Sequence, residues 1–471
     1  NTLPTRWSCW RSTTPGNNPD YAYYTEEKVM NRRTLRALSV FSLLIALLFS
    51  AMPACADSLP DAFTIAYQVD ERLINGKRGF VSKEHITAAN SAVAAEINAL
   101  VDAYDEQYAP TLKRSDNPKR NSRLDIHVVH SVTGTRWVSF LVLARQSYAR
   151  KQLASPFTAR AYDMDADRQL ALTDVVQDTA AAWDILGSAV REQLNAYFPD
   201  EEADAAVLDR LCSREGLLET PFMLTPAALT LHYEASAVYP GHPTLMRVTV
   251  YYQALADVLT DEARVQTDNS AYSLVALTFD DGPSYTQTAR LLNNLRHTGA
   301  VGTFFLVGNR VDEYMDIARR ENDENHSLQS HHYVHTNAEK STPERIRSYT
   351  EKAHDKIASI AGKPPIMMRP PYGLYEPFQQ ADVNLPIIMW TVDTKDWTGK
   401  SSSAVLSVVK KEVRPGAIIL MHDIKDNTAE SARMTVEYLQ KHGYLCVTVE
   451  DLFAYYHVEL EPNHHYAYAV K

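Results

Sequence analysis

Apolar positions recur at helical spacing in two stretches of the first half of the chain. Val93, Ile97, Leu100, Val101 and Tyr104 fall on one face of Thr87–Tyr104. Leu172–Phe198 reads as a longer helical run opened by the cap Thr173-Asp174. Leu124–Val129, Trp137–Leu143, Phe222–Leu224, Leu229–Tyr233 and Met246–Tyr252 predict strands, the later ones separated by Pro/Gly turns. From Leu274 the pattern changes. Apolar runs at Leu274–Phe279, Val301–Val307, Ile366–Met368, Ile387–Thr391, Ala417–Met421 and Tyr444–Val449 are interleaved with amphipathic helices at Thr286–Leu295, Ser341–Ile360, Ala404–Val413 and Thr428–Lys441. Repeated βα units imply parallel strands joined by right-handed crossovers. The expected fold is α/β: an irregular (β/α) barrel, smaller than the eight-fold one, preceded by an α+β accessory domain.

Composition narrows the function. With 45% hydrophobic and 22% charged residues the chain is globular, which excludes collagen-like and wholly disordered readings. A net charge of −11 argues against nucleic acid as partner, since phosphate binding needs basic surface. Four cysteines are too few for a disulfide scaffold.

Arg32, Arg33 and Arg36 precede the apolar run Ala37–Ala51, and Ala54-Cys55-Ala56 follows, which describes a secretory signal peptide. The alternative is an uncleaved membrane anchor, though the run is short of the about 20 residues a span wants. Met30 stands where such a segment should begin, so residues 1–29 are read as non-native or untranslated leader and 30–56 as the signal or anchor. The α+β domain is expected over 57–268, a linker near Glu262–Ala271, the catalytic domain over 272–458 and a tail over 459–471. Tyr162-Asp163-Met164-Asp165, Leu170-Ala171-Leu172-Thr173-Asp174, Phe222-Met223-Leu224-Thr225-Pro226 and Tyr239-Pro240-Gly241 make the region 155–260 resemble the extracytoplasmic domain of RsiV-type anti-sigma factors, which implies an accessory wall-binding or sensing role.

Five polar clusters fall just after predicted strands: Thr278-Phe279-Asp280-Asp281-Gly282-Pro283, Ser330-His331-His332-Tyr333-Val334-His335, Arg369-Pro370-Pro371-Tyr372, Asp393-Thr394-Lys395-Asp396-Trp397 and Leu420-Met421-His422-Asp423. In a parallel barrel the strand C-termini converge on one face, so clusters distant in sequence share one pocket. Adjacent carboxylates on a bend can divide labour, one binding metal while the other takes a proton. His331 and His335, four apart, lie on one face if the segment is helical. With one carboxylate they compose a two-His, one-carboxylate site with open positions. Taken singly, each signal has a plain structural reading. Asp280-Asp281 is a capped turn, Asp393 and Asp396 are loop acids, Trp397 packs under its loop, and His422 is a satisfied core histidine. Arg369, stiffened by Pro370-Pro371, is placed to hold a carboxylate in two-point contact.

Together, over Leu274–Leu452, these clusters resemble the polysaccharide deacetylases of carbohydrate esterase family 4, the NodB homology domain. The resemblance implies roles. Asp280 is the general base and Arg369 orients it. Asp281, His331 and His335 bind a divalent metal, usually zinc. The backbone N–H of Tyr372 helps hold the oxyanion. Asp393 belongs to the network that tunes His422, the general acid, while Trp397 and Leu420 shape an apolar pocket for the acetyl methyl. One departure is the lead-in Asn325-His326-Ser327-Leu328-Gln329, which lacks the family's two glycines.

The expectation is therefore a secreted or envelope-associated bacterial enzyme acting on N-acetylated polysaccharide, peptidoglycan first and chitin-like oligosaccharide second. The alternatives are an acetylxylan esterase, a catalytically silent wall-binding protein, and a non-haem iron oxygenase, since two His and one carboxylate also suit Fe(II).

Overall fold

Residues 65–74, 79–112, 122–149 and 151–469 are described by the computed structural model. The expected leader (1–29) and signal or anchor (30–56) lie outside them. Among the described residues no helix is long and apolar enough to cross a membrane.

The first half is built on a seven-stranded sheet. Its strands are β1 (Ala66–Ile74), β2 (Gly79–Thr87), β3 (Ser122–Thr133), β4 (Trp137–Tyr148), β5 (Lys151–Ala154), β6 (Phe157–Asp163) and β7 (Arg168–Gln169). They are ordered β1-β2-β3-β4-β6-β7, with β5 also on β4. The helix Ser91–Tyr108 lays Val93, Ala94, Ile97 and Val101 into the core beneath it. It starts four residues later than its apolar spacing suggests, because the Asn90 side chain caps the N–H groups of Ala92 and Val93. A second, antiparallel sheet follows: β8 (Phe222–Leu224), β9 (Ala228–Glu234) and β10 (Leu245–Tyr251), ordered β10-β9-β8.

The single helix expected over Leu172–Phe198 is two helices, Leu172–Val175 and Ala180–Asn195. Val176 is extended and bridges Leu259, and Thr179, not Thr173-Asp174, caps the long helix. The expected linker also carries structure. Helix Asp261–Gln266 lies in it, and the Gln266 Oε1 accepts from the Thr135 N–H at 2.9 Å.

The second half is a parallel sheet covered by helices. Strand β11 (Ser273–Asp280) is buried at every position and sits at its centre. Its partners are β12 (Thr303–Leu306), β16 (Ile418–His422) and β17 (Tyr444–Val447). Strand β13 (Ser327–Ser330) continues from β12 and β15 (Val392–Asp393) from β16; β14 (Ile387–Ile388) pairs with β18 (His465–Tyr466). The residues read as a tail thus supply β18, and Ala469 donates to the Gly416 carbonyl at 3.2 Å. The expected strand Ile366–Met368 amounts to single bridges, Ser330–Met368 and Met368–Ile387. The architecture shown is mixed α/β. Helices Gln287–Thr298, Pro343–Ala361, Ser402–Glu412 and Thr428–Lys441 fall where the amphipathic spacing put them.

The two halves meet through buried charge. Arg296, from the helix after β11, forks onto Glu84 of β2 at 2.6 and 2.9 Å and reaches Glu324 at 2.9 Å. Arg247 of β10 donates to Asn325 and to the His326 carbonyl.

Candidate active site

The β11–β16 register sets Asp280 opposite His422 and Thr278 opposite Leu420. Strand pairing therefore brings together residues 142 positions apart in the chain. Past Asp280 the backbone turns at Asp281, whose φ of 79° is in the left-handed region. His332, Tyr372 and Lys395, in the neighbouring loops, share that conformation. Such strained residues persist where the surroundings over-determine them, as at working sites. Gly282 completes the turn; a Cβ there would sit 2.0 Å from the Asp423 Oδ2, so no side chain fits.

Asp281, His331 and His335 present donor atoms that all lie within 4.8 Å of one another. The Asp281 Oδ1 is 3.2 Å from the His335 Nε2 and 3.5 Å from the His331 Nε2. It is buried and has no hydrogen-bond partner. The His331 Nδ1 donates to the Arg369 carbonyl at 2.7 Å, which leaves the Nε2 lone pair facing Asp281. Burial works to raise the Asp281 pKa, but the His331 and His335 imidazoles outweigh it and hold the carboxyl below its usual range. Burial lowers His335, favouring the neutral, ligating form. An orphaned carboxylate oxygen beside two oriented imidazoles fits a divalent cation. The pair meets without a helix: the chain from His331 to Asn337 is irregular, and the His331 N–H donates to the Leu306 carbonyl at 2.8 Å.

Arg369 is wholly buried. Its Nη1 donates to the Asp280 Oδ1 at 2.8 Å and to the Thr278 Oγ1 at 2.7 Å; Nε and Nη2 donate to the carbonyls of Ile388 and Met389. The contact with Asp280 is one-point, not the expected two-point fork, because main-chain carbonyls take the other donors. The Asp280 Oδ2 is left without Arg369, 3.9 Å from the His331 Nε2.

On the other side, the His422 Nδ1 donates to the Asp396 Oδ1 at 2.8 Å, and the His422 N–H and Thr428 hydroxyl donate to the Asp396 Oδ2 at 2.8 and 2.9 Å. Burial alone would depress the His422 pKa; the Asp396 bond and the charges of Asp280 and Asp281 override it and raise it. Asp393 ends β15 and accepts from the Lys395 N–H, while the carboxylate bonded directly to His422 is Asp396. Left-handed Lys395 starts the turn Asp396–Thr398 that carries Asp396 beneath His422.

Leu420 is buried on β16 two residues before His422. Tyr372 and Trp397 are 61% and 53% exposed, and the Tyr372 ring lies 4.5 Å from that of His335. Trp397 does not pack under its loop as a lone tryptophan would. Sequence reasoning missed Asp396 as the partner of His422, and with it Thr428, Thr278 and Asp423. Asp423 is buried behind the Asp281-Gly282 turn, where Thr288 donates to it at 2.6 Å; burial pushes its carboxyl up to about 7. Its adjacency to His422 was the available signal. The glycine-free lead-in is accommodated: Asn325 takes a left-handed conformation, and the Gln329 side chain accepts from the N–H groups of Ile366 and Met367.

A family model described as polysaccharide deacetylase matches residues 268–384. The peptidoglycan-N-acetylglucosamine deacetylase PgdA of Listeria monocytogenes is 31% identical over 278 residues, 57% of this chain and 58% of that protein. This chain therefore spans little more than half the length of that relative. A peptidoglycan-N-acetylglucosamine deacetylase of Bacillus cereus is 32% identical over 186 residues, 38% of this chain and 68% of the relative. Among solved structures, the peptidoglycan deacetylase PdaC from Bacillus subtilis shares 29% identity over 38% of this chain and 90% of its own, with a TM-score of 0.37.

Proposed function

The chain belongs to the polysaccharide deacetylase family, and on that premise we propose that it removes N-acetyl groups from a cell-envelope polysaccharide, peptidoglycan first, releasing acetate. The observation that carries this reading is the meeting, in one pocket, of the trio Asp281, His331 and His335 with a carboxylate held by Arg369 and an imidazole held by Asp396. A hydrolase of amides needs a place for the carbonyl oxygen, a base for water and an acid for the departing nitrogen, and the pocket supplies all three.

A divalent ion held by Asp281, His331 and His335 would polarise the acetyl carbonyl and lower the pKa of a bound water. We infer zinc, because two imidazole nitrogens and one carboxylate oxygen with positions left open suit it. Asp280, its Oδ1 occupied by Arg369, uses Oδ2 to take the proton of the attacking water. The backbone N–H of Tyr372 helps hold the oxyanion. The Asp396 bond at Nδ1 leaves the His422 Nε2 to carry a proton to the amine as the carbon–nitrogen bond breaks. Base and acid each contribute about 10²–10⁴-fold. Leu420 and Trp397 border the acetyl methyl. Asp393, which accepts from the Lys395 N–H, would act on His422 only through the loop that carries Asp396.

The bridges Ser330–Met368 and Met368–Ile387 support a sheet curling into an irregular barrel. An envelope location and an accessory role for the region 155–260, by its likeness to RsiV-type domains, accord with a wall substrate. The test is acetate release from peptidoglycan and from chitin oligomers, with and without chelator. Chelator-sensitive release is expected. Oxygen consumption without acetate would sink the reading in favour of an iron oxygenase.

A further inference from the structure

We propose that Thr278 is a positioning residue: its hydroxyl locks Arg369 in the orientation that presents Asp280 to the pocket. The inference rests on the deacetylase reading and deepens it.

Thr278 is completely buried, two residues before Asp280 on the same face of β11. A hydroxyl has one hydrogen, and here it is spent: the Oγ1 donates to the Ile419 carbonyl on β16 at 2.8 Å. The polarity of the oxygen is thereby settled. Its lone pairs are left for the Arg369 Nη1, which donates to it at 2.7 Å. The two N–H bonds of Nη1 then go to the Thr278 Oγ1 and the Asp280 Oδ1, and neither can move without releasing the other. The other hydrogen-bond acceptors of Arg369 are the carbonyls of Ile388 and Met389 on a single chain segment. The Phe305 ring of β12, 4.2 Å from the Arg369 Cζ, covers the guanidinium plane but accepts no N–H within it. Thr278 is the side-chain acceptor that fixes its rotation toward β11. It also ties β11, which ends in Asp280, to β16, which ends in His422, so one hydroxyl spans the strands of base and acid. A β-branched side chain suits the task because its χ1 is stiff.

Thr278→Val keeps the volume and removes the acceptor. One buried N–H of Arg369 then lacks a partner, a penalty that the guanidinium relieves by turning away from Asp280. The expected result is a kcat lower by about 10- to 100-fold, with KM within about twofold and metal content unchanged. Thr278→Ser, which restores the hydroxyl, should recover most of the rate. Adding Thr278→Val to Arg369→Met should cost nothing further, since the hydroxyl acts only through the guanidinium. An active wild type beside a Val variant of equal kcat would overturn the inference and leave the deacetylase reading standing. A wild type that releases no acetate would overturn both. Should the Val variant fail to fold, Thr278→Cys retains the size with a much weaker acceptor, and full activity there would be equally fatal.

Discussion

Arg369 and Arg296 are both buried guanidiniums bonded to a carboxylate from a sheet strand, yet their surroundings divide sharply. Arg296 forks onto both oxygens of Glu84 and reaches Glu324, while Glu84 also takes the Val128 N–H and His297, and Arg320 closes on Glu324. The two carboxylates are saturated, and their pKa values lie below the usual range because the arginines outweigh the burial penalty. Arg369 gives Asp280 a single bond and leaves one oxygen facing a pocket that also holds the orphaned oxygen of Asp281. Perturbed charge alone does not distinguish a working site from a structural lattice. What distinguishes them is donor and acceptor capacity left over after the fold has been satisfied.

The sharpest way to break that contrast is to disable the unsaturated cluster. Asp280→Asn should lower kcat by about 10²–10⁴-fold while the metal stays bound. His331→Ala should lose metal and activity together. Acetate release and metal content measured on the same samples decide it; an Asn variant at near-wild-type rate would remove Asp280 from the chemistry.

The saturated cluster should show the reverse. Glu84→Ala leaves Arg296 a buried cation short of a partner and should cost about 3–5 kcal/mol of unfolding free energy, with the folded fraction retaining its kcat. Glu84 has a folded pKa below its unfolded value of about 4.3, so its contribution is complete above that pH and is lost as pH falls through the folded pKa. The stability gap between wild type and variant, read by denaturant titration, should therefore narrow in acid. A gap constant from neutral pH down to pH 2 would show that the charge at Glu84 is not what holds the halves together.

Between these extremes lies Asp396→Asn. Losing the anionic partner should cut kcat by about 100-fold and lower the His422 pKa. A general acid must be protonated, so its activity falls as pH rises through its pKa. The alkaline limb of the rate profile should consequently move to lower pH in the variant. An unmoved limb would assign that limb to another group.

How far the sequence carried this reading depended on distance along the chain. The five clusters were legible because each is a short consecutive run closing an apolar strand, and strand ends in a parallel sheet converge whatever the loops do. Choosing between Asp393 and Asp396 was beyond pattern reading: both flank the same loop, and the choice falls to one left-handed residue, Lys395. Glu84 and Arg296 are 212 residues apart, and nothing near either position announces the other. The broken helix at Val176 and the tail that became β18 failed for the same reason, since bridges to Leu259 and pairing with β14 are long-range decisions that override local periodicity.

The smallest effect sharpens the comparison most cheaply. Arg433, on the exposed face of helix Thr428–Lys441, pairs with Glu430 one turn back and Glu437 one turn on. Counted as ion pairs, that is as many partners as Arg296 has. Arg433 is 37% exposed, however, and water screens the attraction while two long side chains lose freedom to make it. Arg433→Ala should therefore change stability by less than about 1 kcal/mol and leave both the rate and its pH profile untouched. A loss matching that of Glu84→Ala would mean that pairing as such stabilises this fold, and the distinction drawn between saturated, buried charge and the rest would have to be abandoned.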